Sequence, residues 1–175
     1  MTTPRAPSPS MLDRYRGEQP QPLYTGRVRV TGGVAGHGRA SGHAVSDDGA
    51  LDLALRLPPE LGGEGGGSNP EQLVAAGYAA CFHGAMTLLA ARAGRPLADA
   101  SVEVAVTFAR DPGDGMYLLS AEVRVHLPGQ DPEFATALVR NTERACPYSK
   151  MFQHGISHVV SVATQAAGAP GQAGP

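Results

Sequence analysis

The chain has 175 residues, of which 42% are hydrophobic and 17% charged, with a formal net charge of −2. That length suits one domain with a real core, and the near-neutral balance lacks the clustered basic excess of a nucleic-acid-binding surface. Its 2 cysteines are too few for a secreted disulfide scaffold. The first residues show no charged leader followed by an apolar run, so the expected location is the cytoplasm. There a lone cysteine pair is redox-active, metal-binding or incidental.

Residues 1–21 are rich in Pro, Ser and Arg without a period and read as a disordered arm; residues 165–175 read as a flexible Ala/Gly/Pro tail. Residues 22–164 between them read as one domain without internal repeats. Tyr24, Gly26, Val28 and Val30 alternate with Thr25, Arg27 and Arg29, the period of a half-buried strand. A Gly-rich loop, GGVAGHGRASGH, follows. A hairpin turn at Asp48-Gly49 then leads into the alternating Leu51, Leu53, Leu55 and Leu57. Pro58-Pro59 ends that strand, and LGGEGGGS is a flexible loop.

Asn69 reads as a helix N-cap, Pro70 as the first helical residue and Gln72 as the capping-box partner, for a helix running to about Arg92. Its apolar run, Leu73 to Ala91, is long enough to raise the question of a membrane span. The run is mostly Ala and Gly, carries His83 and Thr87, and has no aromatic belt, so the reading is a central buried helix in a soluble protein. Its small residues would let another helix approach closely. Val102, Val104, Val106 and Phe108 predict a strand, as do Leu119, Ala121, Val123 and Val125, joined through Pro112 to Gly115. A second helix starts at Asp131-Pro132, carries Phe134, Leu138, Thr142 and Ala145 on one face, and stops near Pro147. Ile156, His158, Val160 and Val162 predict a closing strand. Strands grouped around two helices without regular βαβ alternation predict an α+β fold.

Cys81 lies in the middle of the apolar helix, ten positions after Glu71. It reads either as a small buried hydrophobe or as a nucleophile. Cys146 falls in the last turn of the second helix, where the negative end of the dipole opposes a thiolate. If the two react in turn, Cys81 is the better low-pKa thiolate and Cys146 the better resolving thiol. Cys81 has no cation within its own helical turns and needs one from elsewhere. Arginine suits that role, being charged even when buried, with a carboxylate to hold it. Of the 6 histidines, His83 is at i+2 from Cys81, where helix positions diverge; His37 and His43 lie in a loop, and His154 and His158 near the last strand. A zinc site on the two cysteines and a histidine has no supporting ligand spacing, and no metal or cofactor is expected.

The stretch NPEQLVAAGYAACFHGA (Asn69 to Ala85) and the ACPYS of Ala145 to Ser149 resemble the organic hydroperoxide resistance proteins of the Ohr/OsmC family. The LYT of Leu23 to Thr25, the SDDG of Ser46 to Gly49 and the LGG of Leu61 to Gly63 fit the same pattern, so the resemblance spans Leu23 to Thr164. It implies an intertwined homodimer, with two central helices packed against antiparallel sheets, and a two-cysteine peroxidase cycle. Residue by residue, it makes Cys81 the peroxidatic cysteine, Cys146 the resolving cysteine and Glu71 the acidic residue that holds an active-site arginine. The family's arginine directly follows a Gly-Gly pair after the first strand; here Gly32-Gly33 precedes Val34 and the loop is longer. Arg39, the only arginine in that loop, takes the role, with Arg27 and Arg29 as alternatives.

The implied cycle runs through a Cys81 sulfenic acid and a Cys81–Cys146 disulfide, reducing organic hydroperoxides to alcohols in defence against oxidative stress. An apolar rim of Leu73, Phe82, Met86, Met151 and Phe152 would favour bulky peroxides, ordinary core being the alternative for each. The reductant would be a dithiol, which the resemblance points to on a lipoylated protein. Two other readings stand beside this one: an OsmC-branch peroxidase with a different substrate range, and a redox-silent small-ligand-binding module of the same fold. The CPYS segment and the adjacent loop favour the first reading over the OsmC branch; intact Cys81, Cys146 and Glu71 speak against the silent module, which the altered arginine loop keeps open.

Overall fold

The computed structural model describes residues 14–34, 36 and 39–163. Residues 1–13 of the expected arm, His37, Thr164 and the expected tail at 165–175 lie outside the described residues. In chain order the elements are β1 (Val28–Thr31), β2 (Gly42–Ser46), β3 (Asp52–Leu55), α1 (Pro70–Arg92), β4 (Ser101–Arg110), β5 (Tyr117–His126), α2 (Pro132–Ala145) and α3 (Pro147–His154). The three helices and two antiparallel sheets make the α+β class expected from the sequence.

Asn69 starts the central helix as a capping box. Its side chain accepts from the Gln72 N–H (2.9 Å), and the Gln72 side chain accepts from the Asn69 N–H (3.2 Å). The Gly-rich loop before it is tied back to β3: Arg56 N–H donates to the Ser68 carbonyl (2.9 Å) and Ser68 N–H to the Ala54 carbonyl (3.0 Å). This delivers Asn69 to the helix start from a fixed direction. α1 buries Tyr78, Phe82, Met86 and Ala90, a stripe spaced by four, against β4, α2 and α3. It is long and apolar enough, by length and composition, to cross a membrane. Here it serves as the core helix, and this chain covers one side of it.

β4 and β5 pair from Ser101↔His126 to Arg110↔Tyr117, as the two alternating patterns predict. Their half-buried valines, Val102, Val104, Val123 and Val125, pack on Tyr78, Phe82 and Cys146. A second part of the core joins Met86, Ala90 and Leu138 to Leu97, Leu127 and Phe134. α2 starts as expected, its Asp131 side chain accepting from the Phe134 N–H (2.9 Å), and faces the core with Leu138 and Thr142. The smaller sheet has the order β1-β2-β3.

The structure departs from the sequence reading in four places. The first strand begins at Val28, and Leu23 and Tyr24, expected in it, are exposed. β2 forms where the Gly-rich loop was expected to continue. Its Gly42, at φ 95, lies where any Cβ would meet the Thr31 carbonyl oxygen at 2.5 Å, so only glycine fits. Pro147 ends α2 as predicted but also opens α3, because proline at the first helical position removes an N–H that has no partner there anyway. The strand expected from Ile156 to Val162 is absent: this segment is neither helix nor strand, and Val159, Val160 and Val162 are 90%, 86% and 86% exposed. An alternating pattern becomes a strand only where it pairs with a sheet edge, and this segment pairs with neither sheet.

Candidate active site

Cys146 sits between two helices, as the C-cap of α2 and the N-cap of α3. Its N–H donates to the Thr142 carbonyl at 2.8 Å, and its carbonyl accepts from the Lys150 N–H at 3.2 Å. The turn buries its side chain to 1% exposure and aims the thiol at α1, where the Cys146 and Cys81 sulfurs lie 3.4 Å apart. Both are free thiols. A disulfide needs about 2.05 Å, and two sulfurs already in contact close that gap through small side-chain rotations.

α3 is held against α1 by aromatic packing and one buried hydrogen bond. Tyr78 stacks on Phe152 (centroids 4.9 Å apart) and Tyr148 (6.1 Å) and meets Phe82 edge-on (6.3 Å). The Tyr78 and Ser149 hydroxyls hydrogen-bond at 3.0 Å. Gly77 leaves room for this packing, since a Cβ there would lie 2.8 Å from the Tyr148 hydroxyl oxygen.

Burial pushes the Cys81 thiol up, and the neighbouring Cys146 thiol adds to the effect, while the Tyr148 backbone N–H acts in the opposite direction. Among the described residues, no cation is one of the causes of this shift. The dipole argument that set the two cysteines apart needs correction: the negative end of α2 and the positive end of α3 meet at Cys146, so the dipoles do not single out Cys81.

Arg39 and Glu71 form a salt bridge, as the sequence reading paired them, and the Arg39 guanidinium lies 3.7 Å over the Phe108 ring. The pair sits at the start of α1. Ten residues of helix put Cys81 about 15 Å further along the axis and about 80° around it. In one chain, therefore, the structure brings Cys81 to Cys146 and Arg39 to Glu71, but does not bring the two pairs together. Arg27 pairs with Asp47 at 3.8 Å on the surface, and Arg29 is exposed on β1.

A cleft of about 700 Å³ opens beside Arg39, lined by Leu57, Leu61, Phe108, Ala109, Arg110 and Tyr117. None of the five expected rim residues lines it. Phe82 and Met86 are 2% and 0% exposed and belong to the core, because the α1 stripe facing β4 runs through them. Leu73 and Met151 are half-buried, and Phe152 packs on Tyr78 at the surface. Sequence reasoning missed Phe108 and Tyr117 as a site pair. Phe108 pairs across the hairpin with Leu119, so Tyr117 is its diagonal neighbour, and the two rings stack at 4.8 Å. Among the described residues no three His, Cys, Asp or Glu side chains gather in a way that could hold a metal.

The family model described as OsmC-like protein matches residues 63–161, more than half of the chain. The chain is also 41% identical over 143 residues to the organic hydroperoxide resistance protein of Xanthomonas axonopodis pathovar citri, covering 81% of this chain and 95% of that one. The chain belongs to the OsmC-like family. The resemblance to organic hydroperoxide resistance proteins is thereby borne out, and two solved structures extend it to the fold. The organic hydroperoxide resistance protein OsmC of Legionella pneumophila superposes with a TM-score of 0.67 at 39% identity, over 77% of this chain and 93% of its own. OhrB of Bacillus subtilis superposes with a TM-score of 0.65 at 37% identity, over 76% and 93%. Both cysteines, Glu71 and the cleft-lining Phe108 and Tyr117 fall within the span that the OsmC-like family model matches.

Proposed function

We propose that this OsmC-like chain is a cytoplasmic thiol peroxidase that reduces organic hydroperoxides to alcohols. The observation that carries the reading is the 3.4 Å contact between the Cys81 and Cys146 thiols, in a chain whose relatives include proteins named for organic hydroperoxide resistance. In the first step the Cys81 thiolate attacks the distal peroxide oxygen. The O–O bond breaks, the alkoxide leaves and takes a proton to become an alcohol, and Cys81 becomes a sulfenic acid. In the second step the Cys146 sulfur attacks the Cys81 sulfur, the S–O bond breaks, and water leaves. A dithiol, for which a lipoylated protein is the proposed carrier, then reduces the disulfide and is itself oxidised to one.

The first step needs a cation at Cys81, and among the described residues no cation is one of the causes that shift its thiol. The reading therefore includes a homodimer in which Arg39, steered by Glu71, serves the Cys81 of the second copy. Three features support it: the side of α1 left uncovered, the small residues along α1, and the exposed valines Val159, Val160 and Val162, which pair with neither sheet. The apolar cleft beside Arg39 then suits the organic part of the substrate.

The deciding experiment is a steady-state assay with tert-butyl hydroperoxide and dihydrolipoamide, set beside hydrogen peroxide. Turnover with a clearly higher kcat/KM for the organic peroxide is expected. Persistence of both thiols under excess organic peroxide would end the reading.

A further inference from the structure

We propose that Tyr78 and Ser149 are positioning residues that hold the two thiols in register for disulfide closure. This inference deepens the peroxidase reading and, for its catalytic meaning, rests on it. The key juxtaposition is in the numbering. Tyr78 precedes Cys81 by three residues and Ser149 follows Cys146 by three, so one hydrogen bond and one sulfur–sulfur contact join the same two segments about a turn apart.

Cys146 itself lies in no helix, so the place of its thiol depends on how α2 and α3 dock on α1. On the α2 side the turn is fixed by the Thr142 carbonyl. On the α3 side most of the contact is ring against ring, among Tyr78, Tyr148 and Phe152. Stacked rings tolerate sliding and rotation, because dispersion changes little with a shift of a few tenths of an ångström. A hydrogen bond is directional and does not. The ring of Tyr78 alone would meet the packing need. Its hydroxyl is an added polar group, and at 7% and 1% exposure Tyr78 and Ser149 satisfy each other out of water. Leaving either hydroxyl alone would cost more than the bond itself gains, so the pair selects one rotational setting of α3. That setting points the Cys146 sulfur at Cys81 and brings the Tyr148 N–H to act on the same thiol.

Closure requires the Cys146 sulfur to approach opposite the breaking S–O bond of the Cys81 sulfenic acid, while water departs with the Cys146 proton. The distance must fall from 3.4 Å to about 2.05 Å, and such steps slow sharply when the approach line shifts.

The test uses the full chain with Tyr78→Phe, Ser149→Ala, the double variant and Ser149→Thr. After one equivalent of tert-butyl hydroperoxide, the Cys81 sulfenic acid is trapped with dimedone in competition with disulfide closure. Tyr78→Phe and Ser149→Ala should each slow closure about ten-fold, the rate equivalent of one net hydrogen bond. The double variant should be no slower than the worse single one, and Ser149→Thr, which restores a hydroxyl, should recover most of the rate. A second measurement needs no peroxide: equilibration with reduced and oxidised dithiothreitol reads the effective concentration of one thiol at the other. It should fall about ten-fold in both single variants and recover in Ser149→Thr. Wild-type values in both single variants, by either measurement, overturn the inference. Losses that add in the double variant, or that Ser149→Thr does not recover, overturn it as well. If the wild type keeps its thiols under peroxide, the peroxidase reading fails, while the dithiothreitol equilibrium still decides whether the pair sets the register.

Discussion

The Cys146 sulfur rests 3.4 Å from the Cys81 sulfur although the two are 65 positions apart in the chain. Two helices and a hairpin separate them along the chain, and the turn at Pro147 brings them into contact. Cys81 stands mid-helix and half-buried, while Cys146 stands at the junction of α2 and α3 and is 1% exposed. The greater access of Cys81, rather than helix dipoles, is consistent with attack by Cys81 and resolution by Cys146.

Thiol titration should show both cysteines lost to one equivalent of organic hydroperoxide, with no covalent dimer on a non-reducing gel. Cys146→Ser should still consume about one equivalent and leave a dimedone-reactive Cys81, whereas Cys81→Ser should be inert. A burst in Cys81→Ser and none in Cys146→Ser would reverse the assigned roles.

Separation of the Arg39–Glu71 pair from Cys81 by about half of α1 between Glu71 and the helix end makes complementation informative. Arg39→Ala and Cys81→Ser should each be inactive alone. Mixed under conditions that exchange subunits, they should recover a quarter to a half of wild-type activity, roughly as expected for one intact site per mixed dimer. No recovery would mean that the two residues act within one chain.

The pH dependence of Cys81 follows from the upward push of burial. In Arg39→Ala, alkylation of Cys81 should have its midpoint above the ordinary thiol value of about 8.5. In the proposed dimer an adjacent guanidinium should lower it relative to Arg39→Ala. A thiol raised on folding favours the protonated state, so its contribution is full below about pH 8.5 and is lost as pH rises through the raised value. Arg39→Ala should therefore lose stability at alkaline pH, and an added Cys81→Ser should abolish that loss. Coincident alkylation curves for wild type and Arg39→Ala would remove Arg39 from the site.

At the start of α1, Asn69→Ala removes the side-chain oxygen that accepts from the Gln72 N–H and leaves the backbone N–H that donates to the Gln72 side chain. It should cost about 1 kcal/mol and lower Tm by roughly 2–4 °C. An unchanged Tm would show that the ties of Ser68 to β3 alone hold the helix start.

The core and the cleft should separate in their responses. Met86, at 0% exposure, should lose about 2–5 kcal/mol on replacement by alanine, with little change in the preference for cumene hydroperoxide over hydrogen peroxide. Phe108→Ala should cost less stability and weaken that preference through KM, since its ring lines the cleft beneath Arg39. The reverse pattern would return the substrate wall to the α1 stripe.

The sequence by itself determined the features that depend on neighbours a few residues apart. Asn69, Pro70 and Gln72 specify a helix start because cap and partner lie within one turn, and the alternation from Val102 to Phe108 specifies a strand because its period is local. The family resemblance was legible for the same reason, in two short runs around the cysteines. Tertiary structure decided what those residues face. Pro147 signals the end of one helix and the start of another with the same missing N–H, so α3, and with it the approach of Cys146 to Cys81, depended on docking against Tyr78. The pattern from Ile156 to Val162 suits a strand, but the segment pairs with neither sheet, since alternation sets a period and not a partner. Phe82 and Met86 are as apolar as Leu57 and Phe108; only the side of α1 that β4 covers makes the first two core and leaves the others to line a cleft.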